Sequence, residues 1–288
     1  MSLLPQLLGF AASLCYAACF VFARRAVHYS NAATIAITAF CIQIVVLAPI
    51  AFLKVGLPEV STVAVVCFVI VGLILAVVQL LSFTGVAKIG AARASALRGT
   101  FPLFSVVIAI MFLDEPATLS VLAGTILVVS GIILISWQPK EATGNLRWWY
   151  ALIPLGAAFL AGVMHPIRRY ALTLANYPIL FVVLVAAVAL MAVLAFLPFL
   201  PRGQRPMWRH QGLAAVVAAG AFQSAGFLLI NFALGFGPVV HVIPIIASFP
   251  AWVLLGTVFF MRNVEKIDLR AGTGTLLTIV GTIVILLS

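Results

Sequence analysis

The apolar residues of this chain fall into ten blocks of membrane-spanning length, and the blocks of the second half repeat those of the first. The runs are 4–23, 34–53, 63–86, 91–113, 119–137, 148–167, 178–200, 212–236, 238–260 and 269–287. Each holds about 20 residues, which as a helix rising about 1.5 Å per residue crosses a hydrocarbon core about 30 Å thick. With 65% hydrophobic and 8% charged residues, a chain of 288 residues has far more apolar surface than a soluble core can hide. The bilayer therefore has to act as solvent, and helices satisfy their own backbone polar groups there.

The duplication can be read directly. Gly124 to Ile135 (GTILVVSGIILI) and Gly274 to Ile285 (GTLLTIVGTIVI) share six identities in twelve. Gln79 and Phe83 match Gln223 and Phe227, Phe101-Pro102 matches Phe249-Pro250, and Glu115 matches Glu265, at offsets drifting only from 144 to 150. The stretch 138–147, rich in Pro, Lys, Glu, Gly and Asn, reads as a linker between repeats at 1–137 and 148–288. Five spans per half is an odd number, so the second half has to enter the membrane the opposite way round. The expected fold is an all-α integral membrane protein, ten transmembrane helices as two inverted five-helix repeats around a central cavity. Such a pair has two similar end states, one open to each side, as alternating access requires.

Charge gives topology. The net charge of +10 comes from 16 basic residues in short breaks between apolar runs, which argues against a nucleic-acid surface. With the N-terminus outside, twelve basic residues fall in cytoplasmic breaks and three (Lys54, Arg168, Arg169) in outer ones, and Arg98 lies within a span. That asymmetry favours both termini outside. The start, Met1 to Phe22, lacks a basic n-region and a cleavage site and reads as a retained first span. Trp137, Trp148, Trp149, Tyr150 and Trp208 fall at span ends as interfacial anchors. The four cysteines lie inside apolar runs, without metal-site or disulfide spacing, and read as small packing residues.

These features together resemble the EamA type of the drug/metabolite transporter superfamily: two five-helix halves, a proline in the fourth helix of each (Pro102, Pro250), a following glutamate (Glu115, Glu265) and a glycine-rich fifth helix. The resemblance covers essentially the whole chain. It implies a multi-pass protein, expected in a bacterial inner membrane, with helices 1–4 and 6–9 around a cavity and helices 5 and 10 at the periphery. It also implies both termini in the cytoplasm, against the charge count.

Few polar groups are placed to act within the bilayer. Arg98 lies one turn before Pro102, and a guanidinium at that depth costs at least about 2.5 kcal/mol facing lipid, so it is expected to anchor a substrate carboxylate or phosphate, or to pair or snorkel. Gln79 and Gln223 hold equivalent positions, and Asn231 lies two turns beyond Gln223; their amides need protein or water. They read as substrate contacts or as interhelical glue. Tyr16 reads as a cavity aromatic or core packing, and His241, one turn before Pro244, as a proton relay or an interfacial hydrogen-bonding residue. His165 carries the same two readings. The proposed binding set is Arg98, Gln79, Gln223, Asn231, Tyr16 and His241, with helix kinks at Pro102, Pro250 and Pro244.

All six acids (Glu59, Asp114, Glu115, Glu141, Glu265, Asp268) lie in breaks or at span ends, which disfavours carboxylate-driven proton antiport. Glu115 and Glu265 are expected to cap the next helix or to pair with nearby bases. The glycines of helices 5 and 10 suggest close helix packing or a homodimer seam. Paired aspartates, a His-Glu-x-x-His motif and a spaced Ser/His pair are all missing, so no enzyme, cofactor or metal is expected. The leading expectation is a secondary transporter, an exporter, of a small polar or anionic, amino-acid-like metabolite. The alternatives are an exchanger of phosphorylated or nucleotide-linked compounds, and a non-transporting scaffold or flippase subunit.

Overall fold

Every regular element among the described residues is helical. The computed structural model describes residues 3–54, 56, 58–136, 148–199, 205–260 and 269–287. The linker at 138–147, Trp137, Glu265 and Asp268 lie outside them. The first half comprises α1 (Leu4–Ala26), α2 (Ala32–Lys54), α3 (Thr62–Ile89), α4 (Ala91–Arg98), α5 (Pro102–Phe112) and α6 (Leu119–Ser136). The second comprises α7 (Leu152–Leu174), α8 (Pro178–Phe196), α9 (His210–Phe236), α10 (Val239–Ile246), α11 (Phe249–Phe260) and α12 (Leu269–Leu286). Eight segments are long and apolar enough to cross a membrane, counting α4–α5 and α10–α11 as one each; α6 and α12 contribute two shorter apolar stretches.

Local chemistry sets several of the ends. Ser61 accepts from the Ala64 amide at 3.3 Å and starts α3. Gly90 ends it at φ +86°, a left-handed conformation that costs glycine nothing and lets α4 leave at a new angle. The fourth span of each half is broken. Proline lacks an amide hydrogen and suits the first turn of a helix, so Pro102 opens α5 and Pro250 sits one residue into α11. Pro244 is interior to α10, which stops two residues later.

The two breaks face each other. A Cβ on Gly99 would lie 2.7 Å from Pro250 Cγ, so only a glycine allows this approach. Around that crossing α4 packs on α11 and α5 on α10, so the two broken spans run antiparallel. The same inversion shows in other contacts between the repeats. Gly124 abuts Gly281 and Ile285 while Gly131 abuts Gly274 and Thr278, an antiparallel seam between α6 and α12. The ends of α1 and α9 meet at Pro5–Gly237, and Cys19 reaches Gln223. Correspondingly, α3 and α7 meet at Gly85–Pro154. Gly124, Gly131, Gly274 and Gly281 are thus used for close packing within the chain.

One span boundary needs correction. The sequence places Arg168-Arg169 in an outer loop after the sixth span, with His165-Pro166 close to that span's end. Instead α7 runs through Pro166 to Leu174. Both guanidiniums find interior surroundings, so their charge does not force the helix out of the membrane-spanning segment.

Candidate functional site: a cavity between the halves

A central cavity with an empty volume of about 490 Å³, its mouth included, lies where the two halves meet. Its wall is drawn from both repeats: Tyr16 and Phe20 of α1, Gln79 and Ser82 of α3, Arg98 and Phe101 at the first break, Met164, His165 and Arg168 of α7, Gln223 and Phe227 of α9, and Ile246 and Phe249 at the second break. At an offset of 148, Tyr16 corresponds to Met164, Phe20 to Arg168, Arg98 to Ile246 and Phe101 to Phe249. Equivalent positions thus line the wall in both halves, but the chemistry is not repeated. Each arginine has an apolar residue at the equivalent position of the other repeat.

Arg168 is 0% exposed. Its Nη2 donates to Met164 Sδ at 3.7 Å, and its guanidinium carbon lies 4.4 Å from the Phe227 ring centroid. Its Nε and Nη1 are buried without a hydrogen-bond partner. Arg98 Nε donates to Ser82 Oγ at 3.3 Å, its guanidinium carbon lies 5.1 Å from the Phe101 centroid, and its Nη1 is buried and unpartnered. The two arginines and the Tyr16 hydroxyl are within electrostatic reach of one another. Arginine does not give up its proton in proteins, and an unpaired buried charge costs several kcal/mol. No carboxylate stands among the lining residues. One fully and one partly buried cation, each with N–H groups to spare, therefore face one space, offset in part by ring faces.

Neutral groups complete the wall. Gln79 Nε2 is buried and unpartnered, and Gln223 Oε1 accepts from Cys19 Sγ at 3.4 Å. His165 has both ring nitrogens unpartnered, with its ring 5.1 Å from that of Phe101.

Of the proposed binding set, the structure brings Arg98, Gln79, Gln223 and Tyr16 to one cavity and leaves two residues out. Asn231 is buried elsewhere, its Nδ2 donating to Phe227 O at 2.6 Å. Eight residues on from Gln223 the helix has turned about 80° past two full turns, whereas Ile230, seven on, stays in line with the wall. His241 is buried but lies off the lining, because it is five residues, about 140° of rotation, from the lining residue Ile246. Pro102, Pro250 and Pro244 shape the breaks without lining the space. Arg168, which sequence reasoning places in a loop, is the residue it misses. The available signal is its spacing, three and four residues after His165 and Met164 on one helix face, and its match to Phe20.

A second polar cluster ties the halves together beyond the cavity. Glu115 Oε1 lies 3.6 Å from Arg169 Nε, and its Oε2 accepts from the Val240 amide at 3.1 Å at the start of α10. Arg169 Nη1 donates to the carbonyls of Leu234 and Gly235 at 2.6 and 3.3 Å, closing the end of α9. Glu115 therefore caps a helix of the opposite repeat and pairs with a base, instead of capping α6. Burial pushes its pKa above the usual carboxylate value, opposed by the Val239 and Val240 amides and by Arg169.

The profile of the EamA-like transporter family matches residues 3–137 and again 147–287. No curated protein matches the chain by sequence. A solved structure described as "Crystal structure of protein" superposes with a TM-score of 0.75 at 17% identity, covering 97% of this chain and 95% of that one. That likeness shows the shared fold. Two family matches, a helical chain of membrane-spanning segments and antiparallel equivalent helices lead to one conclusion: this multi-pass membrane protein belongs to the EamA-like transporter family.

Proposed function

We propose that the protein is a secondary transporter of a small organic anion, which binds between Arg98 and Arg168 and is carried by alternating access. The observation that carries this reading is the fully buried guanidinium of Arg168 beside the partly buried one of Arg98, each with unpartnered N–H groups, in a cavity whose lining has no carboxylate. A site that retains such costly unpaired charges at membrane depth is best explained by an anion that completes it. In this reading α6 and α12 also cross the bilayer, giving ten crossings in two inverted sets of five. The halves rock about the Gly99–Pro250 crossing, so that the cavity opens to one side and then the other.

The test is ligand binding and uptake in proteoliposomes with a panel of carboxylates, sulfonates and phosphate esters, comparing the parent with Arg98→Gln and Arg168→Gln. Losing a charge-assisted hydrogen bond costs about 1.5–3 kcal/mol, so each variant should weaken anion binding roughly tenfold to hundredfold. Unchanged transport of every accepted anion by both variants would refute the reading.

A further inference from the structure

The cavity wall carries two guanidiniums and, among its lining residues, no carboxylate to hold a positive group. Resting on the anion-transport reading above, we propose that the substrate is an organic acid without an amino group and with an apolar, ring-sized body: an aryl-alkanoate type of ligand, not an amino acid.

Three observations support this. First, an α-ammonium sits next to its own carboxylate, so a zwitterion that places its carboxylate on Arg98 or Arg168 brings its cation beside the guanidiniums as well. At an effective permittivity of about 20, a like charge about 5 Å away weakens binding on the order of 100-fold. Second, several of the backbone carbonyls that a broken helix could offer to an ammonium are taken. At the first break the Ser95 and Ala96 carbonyls accept from the Gly99 amide at 2.7 and 3.1 Å, and the Leu97 carbonyl accepts from Thr100 Oγ1 at 2.8 Å. At the second break the Ile243 carbonyl accepts from the Ala247 amide at 3.0 Å, and the Ile245 carbonyl from Ser248 Oγ at 2.7 Å. Broken helices usually offer their free carbonyls to cations, and here these five carbonyls are bonded by their own following residues. Third, most of the remaining wall is ring or aliphatic: Tyr16, Phe20, Phe227, Phe249, Ile230 and Ile246 surround the polar groups. A sugar or polyol body would find few partners there, whereas a ring buries its area against them.

The decisive experiment measures binding to the full-length protein in nanodiscs with four probes: 3-phenylpropanoate, phenylalanine, 2-phenylethylamine and propanoate. The first three share a body and differ in charge; the last keeps the acid and lacks the ring. Expected are at least tenfold tighter binding of 3-phenylpropanoate than of phenylalanine or propanoate, and no measurable binding of the amine. In Arg168→Gln the acid's lead over phenylalanine should shrink at least threefold, because the repulsion weakens along with the attraction. Phenylalanine binding as well as the acid, or a lead unchanged in Arg168→Gln, would overturn the proposal while leaving anion transport standing. Failure of every anion tested, with both arginine variants silent, would bring down the transport reading too.

Discussion

Arg168 is the residue on which the site turns, and its stability effect should separate function from architecture. A fully buried guanidinium with two unpartnered nitrogens is expected to contribute little to folding, and under the proposed function much to recognition. Arg168→Met keeps the stem volume and removes the charge. Its ligand-free melting temperature in detergent is expected to equal or exceed that of the parent, with a gain of up to about 1 kcal/mol, while anion binding is lost. A drop of several degrees without ligand would instead mean that Arg168 holds the helices together. Sequence reasoning recognises Arg98, Gln79, Gln223 and Tyr16 because a polar group in a long apolar run has few places to go. It misplaces Arg168 because two adjacent arginines after a proline look like a membrane exit. Only the neighbouring ring of Phe227 and sulfur of Met164 show why the helix continues.

Among the helices, the breaks, the glycine seam and the Glu115 cluster each make a separate claim. A Cβ on Gly131 would meet Gly274 O and Thr278 Oγ1 at 2.4 Å, both on the facing helix. Gly131→Val should therefore force α6 from α12 and destabilise the fold by about 2 kcal/mol or more, read as a lower melting temperature in detergent. An unaffected melting point would mean that the seam contributes no close packing. Glu115 joins α10 and Arg169 of the second repeat to a turn of the first. Its pKa is raised where it is buried, so this arrangement binds the proton more tightly than one in which Glu115 is exposed. Acidification therefore favours the tied state, and that advantage fades as pH rises through the raised pKa. Spin labels across this end should report more of the closed distance as pH falls from neutrality, and Glu115→Gln should flatten the dependence. An identical pH profile in that variant would assign the effect to another group. The two broken spans are legible in Gly99, Pro102 and Pro250, because proline cannot continue a hydrogen-bonded turn. Their mutual contact is not, since it joins residues 151 positions apart.

Across the protein from end to end, the arrangement of charges predicts topology. Asn31 Nδ2 donates to Arg205 O, Arg24 Nη1 donates to Val86 O at 3.4 Å, and Lys88 Nζ lies 5.5 Å from the Tyr150 ring centroid. These contacts gather Arg24, Arg25, Lys88, Arg205 and Arg209 at one end of the bundle, opposite the Glu115 cluster. By the positive-inside bias that end faces the cytoplasm, so both termini are expected outside. In intact cells an impermeant thiol reagent should label a cysteine placed at Thr118 or Asn176 and spare one placed at Tyr29 or Arg209. The reverse pattern would invert the orientation, and labelling at both ends would contradict the antiparallel halves.

Run length, hydropathy and internal likeness are local or additive properties, and they already place this chain in a bilayer and mark it as duplicated; the antiparallel contacts of α6 with α12 and between the two broken spans are what show its halves opposed. The same kind of local reading marks where the fourth span of each half gives way. Which of the buried polar groups share a space is a matter of packing instead. A helix face drifts with each turn, moving Asn231 and His241 off the wall while Arg168 swings onto it. Whether a charge ends a helix or lines a cavity depends on the side chains packed opposite, and those arrive from distant parts of the chain.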